Sequence, residues 1–195
     1  MTKITRLVAC AISAASFCYA PSALSSDYTE YDTPMPWTHV ASACAPDEAA
    51  IGKYAFNKAD FSFKAGAYSD PSRLAPLPIV VRCNVANPMD GDIAPIWNTM
   101  IIGYSDPDGM AVDTKVSAYL YQVSRTTGAT SIVASFDSNA WIQTTRGEVA
   151  VDLTKALNFH NNEYFVQLEL TRTNNTKLNP VVYSARLVNR MKVPG

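Results

Sequence analysis

From Tyr164 to Thr171 the chain alternates with a period of two. Tyr164, Val166, Leu168 and Leu170 fall on one side, Gln167, Glu169 and Thr171 on the other. A β-strand sends successive side chains to opposite faces, so this segment has one face for a core and one for water. Such a strand is not stable alone. It needs neighbours in its own sheet and a second layer over its apolar face. The chain supplies both as short β-prone runs at 52–56, 61–64, 79–85, 97–104, 112–125, 131–137, 149–153 and 181–189. Clusters of Gly, Pro, Asn and Asp separate most of these runs, and only 154–157 reads as a helical turn. Eight to nine strands without a long helix predict an all-β fold, a two-sheet antiparallel sandwich of jelly-roll or immunoglobulin-like topology. The sandwich is expected as a single domain over residues 44–195.

The compartment follows from the N-terminus. Lys3 and Arg6 precede an apolar stretch from Leu7 to Ala20, and small residues with one proline follow to Ser26. That order is a secretory signal peptide, expected over residues 1–25, with Ala23 and Ser25 at the positions the peptidase reads. Leu7-Val8-Ala9-Cys10 looks like a lipoprotein signal, but only the six residues before Leu7 precede it, too few for an apolar region ahead of the cysteine. The apolar run is shorter than the roughly 20 residues of a membrane helix, and no later segment is long enough. Removing Lys3 and Arg6 from the 16 cations leaves 14 against 17 acids. A mildly acidic chain has no long-range attraction for nucleic acid or an anionic membrane. Cys10 and Cys18 leave with the signal. Cys44 and Cys83 remain, an even pair in an oxidising compartment, and predict one disulfide.

Residues 26–43 form an extended lead-in. Its acidic, proline-broken start, Asp27 to Trp37, lacks either hydrophobic period. It either docks on a neighbouring molecule by strand addition, giving self-association through residues 26–40, or stays a tail with Trp37 tucked against its own domain.

Two runs flank Ser105-Asp106-Pro107-Asp108-Gly109 and predict a hairpin over 97–125. In its second arm Val112, Val116, Ala118 and Leu120 share one face, and Lys115, Ser117, Tyr119 and Tyr121 the other. If Met100, Ile102 and Tyr104 face the core with the first set, Trp97 joins Tyr119 and Tyr121 outside. Those rings make a platform on which a sugar or another flat apolar group stacks. A slip of one residue sends Trp97 inward instead. Trp141, in a loop, serves the same site or plugs the end of the core.

Other chemistry is thinner. Asp90-Gly91-Asp92 and Asp106-Pro107-Asp108-Gly109 are candidate calcium ligands through Asp90, Asp92, Asp106 and Asp108, since calcium accepts scattered carboxylates. Each stretch is also a complete turn motif. Zinc lacks its closely spaced Cys and His ligands. His39 and His160 are the two histidines, and no nucleophile elbow accompanies either. Glu148, Asp152, Glu163 and Glu169 are the carboxylates open to glycoside hydrolysis. Asn174-Asn175-Thr176 matches the N-glycosylation pattern.

Taken as a set, Ala43-Cys44-Ala45-Pro46-Asp47-Glu48, Val81-Arg82-Cys83-Asn84-Val85 and Tyr104-Ser105-Asp106-Pro107-Asp108-Gly109 resemble exported bacterial β-sandwich proteins of unassigned role that carry a single cysteine pair. The resemblance covers Cys44 to Leu187 and rests on turn and bridge residues. It implies a sandwich and export and carries no functional residue across. The leading expectation is a secreted or surface-associated, non-catalytic binding module for a glycan or another extracellular surface. The alternatives are a structural subunit of a filament, coat or matrix and, third, a secreted hydrolase.

Overall fold

The computed structural model describes residues 28–30, 35–64, 77–89, 93–173 and 177–192, with backbone alone at 28–30 and 191–192. The expected signal peptide, Asp90, Asp92 and the Asn174 acceptor site lie outside these residues.

Two antiparallel sheets and one two-stranded ribbon form the molecule. The nine strands legible in the sequence are present as β4 (Tyr54–Asn57), β5 (Asp60–Phe63), β6 (Ile79–Val85), β7 (Thr99–Ser105), β8 (Thr114–Ser124), β9 (Thr130–Asp137), β10 (Gly147–Asp152), β11 (Asn162–Arg172) and β12 (Val181–Val188). Four short ones accompany them: β1 (Tyr28–Glu30), β2 (Trp37–Val40), β3 (Ala45–Pro46) and β13 (Arg190–Lys192). One sheet runs β10-β7-β12-β5-β4 with β2 also on β12, and the other runs β3-β6-β11-β8-β9. The β1 strand pairs with β13 of the same chain, so this part of the lead-in lies on its own C-terminal strand.

The alternation that began the reading sets the centre of the five-stranded sheet. Strand β11 lies between β6 and β8, and Tyr164, Val166, Leu168 and Leu170 are buried. Ile79, Val81, Cys83 and Val85 of β6 and Val116, Ala118 and Leu120 of β8 extend that inner face. From the other sheet come Met100, Ile102, Tyr104, Val182, Ala185 and Leu187. Trp37 and Ala41 pack into the same core, which matches a tryptophan tucked against its own domain. Removing this much apolar surface from water is the main favourable term in folding. The Cys44–Cys83 disulfide bridges the start of β3 to β6 and closes a loop of 39 residues. In the chain-entropy account a closure of that length contributes about 4 kcal/mol.

The expected hairpin is corrected. Strand β7 pairs with β10 and β12, whereas β8 pairs with β9 and β11, so residues 106–113 carry the chain from one sheet to the other. The two strands differ in burial for that reason. Strand β7 is buried on both faces from Thr99 to Tyr104, while β8 keeps a half-exposed face. The corner itself is fixed by Gly109 at φ 63° and by Asp108 Oδ2, which accepts the backbone N–H groups of Asp113 and Thr114 at 2.8 and 3.0 Å. Turn chemistry marks where a chain reverses and is silent on which sheet receives the next strand.

Candidate functional site

The outer face of the five-stranded sheet is assembled by register. In one row Arg82, Gln167, Tyr119 and Ser135 lie side by side across β6, β11, β8 and β9. In the next row the order is Asn84, Phe165, Tyr121 and Ile132. The Tyr121 and Phe165 rings stack at 5.0 Å between centroids and 20° between planes, and Tyr119 leans against Tyr121 at 6.0 Å. All three rings are half-buried, and Ile132 beside them is 48% exposed. A bulge contributes to this edge: Leu120 pairs with Ala134 but Tyr121 pairs with Ile132, which leaves Val133 as the extra residue of β9.

Charges border the rings in pairs. Arg82 Nη1 donates to Asp47 Oδ2 at 2.6 Å and Arg82 Nε to Gln167 Oε1 at 3.3 Å. Lys115 lies 3.3 Å from Asp137, and Arg125 2.8 Å from Glu163. The Ala49 backbone N–H and the Arg82 guanidinium hold the Asp47 carboxyl below the usual carboxylate range. Past Glu163 the face opens into a groove of about 840 Å³, walled by Asn84, Arg125, His160 and Glu163 and floored by Leu157 and Phe159. A second cleft of about 600 Å³ lies along β6 between Trp37, His39, Arg82 and Asn84. There Trp37 Nε1 donates to the Asn84 carbonyl at 3.2 Å, and its ring meets His39 at 5.0 Å.

The expected platform therefore forms without Trp97. Tyr119 and Tyr121 are on the outer face as read, but Trp97 is 2% exposed and belongs to the core. Its indole meets Phe159 edge-on at 6.2 Å, and its Nε1 donates to the Met35 carbonyl at 3.2 Å. The physical reason is the missing hairpin: Trp97 precedes a strand of the other sheet, so no shared face with the tyrosines exists to inherit. Trp141 is 40% exposed, but it follows the 3-10 turn Ser138–Ala140, beyond the Ser117–Asp137 pair at the Thr114 end of β8. It stands past the strand ends, away from the Tyr121 row.

Phe165 is the platform residue that reading by alternation passed over. Its signal was available. It occupies the polar phase of the cleanest alternation in the chain, where an aromatic ring has no core to fill.

Asp106 and Asp108 are brought together, as parts of the corner between sheets. Asp106 is wholly buried, its carboxylate contacted by the Thr114 and Ser138 hydroxyls, and Thr114 also contacts Asp108. Thr114 has one hydroxyl proton and so donates to one of the two carboxylates at a time. Burial pushes the Asp106 carboxyl up to about 6, against the Ser138 and Thr114 hydroxyls that lower it. Burial also raises Asp108, but hydrogen bonds from Thr114, Asp106 and the backbone of Thr114 and Asp113 outweigh it and hold Asp108 below its ordinary value. Tyr104 Oη, buried without a hydrogen-bond partner among the described residues, is pushed up to about 12 by burial, with the Asp106 charge adding to it. Among the described residues, no three His, Cys, Asp or Glu side chains converge in a set that could hold a metal ion.

No family model matches the chain, and no curated protein matches it. Solved structures similar to it include a family two carbohydrate esterase from Cellvibrio japonicus, at 12% identity over 83% of this chain, with a TM-score of 0.39. The chain spans 37% of that esterase's length. The xylan-binding module CBM15 is similar at 8% identity over 83% of this chain and 95% of its own, with a TM-score of 0.39. A cyclase from Fischerella sp. TAU is similar at 10% identity over 90% of this chain and 94% of its own, with a TM-score of 0.38.

Proposed function

We propose that this protein is an exported, non-catalytic binding module that holds a glycan on the outer face of its five-stranded sheet, with Tyr119, Tyr121 and Phe165 as the contact residues. The observation that supports the reading is the ring cluster itself: two rings stacked with nearly parallel planes and a third tilted beside them, all on the solvent side of a sheet. Side chains of that size on an outer face cost solubility unless something covers them. A pyranose offers an apolar C–H face to an aromatic ring and hydroxyls at its rim, and the amides of Asn84 and Gln167 adjoin the rings to meet those hydroxyls. Export is supported by the charged-then-apolar N-terminus and by the Cys44–Cys83 bridge, which persists in an oxidising compartment.

Affinity gels containing neutral plant, fungal and bacterial polysaccharides test the reading. The mature chain should be retarded by at least one of them. Phe165→Ala and Tyr121→Ala should each weaken retention at least tenfold, which corresponds to about 1.4 kcal/mol. Trp141→Ala should leave it unchanged. Retention that survives loss of both rings would sink the proposal.

A further inference from the structure

The ring cluster and the end groove are one continuous surface. Asn84 is the register partner of Phe165, and Glu163 precedes Phe165 by two residues on the same face of β11. Both residues also wall the groove of about 840 Å³. From the Gln167 row to the Glu163 row the strand advances four residues, or about 14 Å, before the groove is added. A single sugar ring is shorter than that path. We infer that the groove is a second subsite of the same binding face, and that the ligand is an uncharged polysaccharide chain whose run of several sugars crosses from the Tyr121–Phe165 stack into it.

The inference rests on the glycan reading above and adds length and charge to it. The charge argument comes from the pairing already described. Among the described residues, three cations bordering this face are each held by a carboxylate: Arg82 by Asp47, Lys115 by Asp137 and Arg125 by Glu163. A carboxylated or sulfated sugar would have to compete with those carboxylates for the cations, whereas a neutral one meets no such competition. Amides such as Asn84 and Gln167 both donate and accept, as sugar hydroxyls do. The groove adds apolar floor from Leu157 and Phe159, suited to the C–H face of a further ring.

Isothermal titration with β-1,4-linked glucan, mannan and xylan oligosaccharides of increasing length tests this. For the sugar that binds, affinity should rise at least tenfold from the disaccharide to the hexasaccharide. Ala86, exposed and just past the end of β6, two residues beyond Asn84, lines the groove but not the ring stack. Ala86→Trp should fill the groove and remove that gain while leaving disaccharide affinity and the melting temperature in place. Equal affinity for short and long chains would overturn the second subsite and leave the ring platform standing. Binding of polygalacturonate in preference to every neutral chain would overturn the charge assignment. No binding of any oligosaccharide, with no retention in the polysaccharide gels, would take down the glycan reading and this inference together.

Discussion

The two sheets treat their outer faces in opposite ways. On the six-stranded sheet β7 is covered from outside as well as inside: Ile101 is 5% exposed although it points away from the core. At Gly103 a Cβ atom would come within 2.3 Å of both the Tyr183 ring and Ser184 Oγ, so the absent side chain is what lets Tyr183 lie over the strand. Arg146 caps that ring at 4.9 Å, and the Arg186–Glu148 pair at 3.4 Å spans the neighbouring strands. On the five-stranded sheet nothing of that kind, among the described residues, lies over Tyr119, Tyr121 and Phe165. One sheet spends its outer aromatic on closing its own surface, and the other leaves three rings half in water. Aromatic content is therefore no guide to an open face; the covering is.

That contrast predicts a separation of effects, and the largest tests come from the closed side. Trp97→Ala removes a buried indole beside β7 and should cost about 3–5 kcal/mol in chemical unfolding, with glycan retention per folded molecule unchanged. A loss of binding at unchanged stability would mean that Trp97 belongs to the open side after all.

Asp106 tests the joint between the sheets. Its folded pKa of about 6 stands above the ordinary 3.8, so the folded chain keeps a proton that the unfolded chain releases. The contribution is present in full below pH 4, declines as pH rises through the window from 4 to 6, and is lost above it, by at most about 3 kcal/mol. The lowered Asp108 works in the opposite sense, being lost as pH falls below 4. Urea midpoints measured from pH 4 to pH 7 should fall across that window, and Asp106→Asn should flatten the slope.

The smallest effect is expected at Gly103. Gly103→Ala must push Tyr183 or Ser184 aside and should destabilise by about 1–3 kcal/mol, again without touching retention. If it weakens binding as strongly as Phe165→Ala, the two faces are coupled and the separation fails.

Much of this architecture is legible in the sequence. The period of β11, the turn clusters between strands and the isolated cysteine pair led to a sandwich with one bridge, because each is a local property of the chain. Strand partnership was not readable, since pairing depends on which distant apolar face completes the core. The misplaced hairpin carried Trp97 to the wrong surface with it. Tyr119 and Tyr121 survived because their exposure depends only on the alternation within β8. Phe165 was visible in principle: an aromatic residue in the polar phase of a strand has to be explained by something outside the core.

Val133 bears on how the molecule behaves when crowded. The strand β9 is the outer edge of the sheet that carries the rings, and an eight-residue edge is a template for a second copy unless it is interrupted; here the Val133 carbonyl already accepts from the Thr154 backbone N–H at 2.9 Å and hydroxyl at 2.8 Å. The extra residue also breaks the regular spacing of that row and tightens its twist, so a straight incoming strand does not stay in register along it. An edge interrupted in this way offers a second copy of the chain no continuous row to pair with.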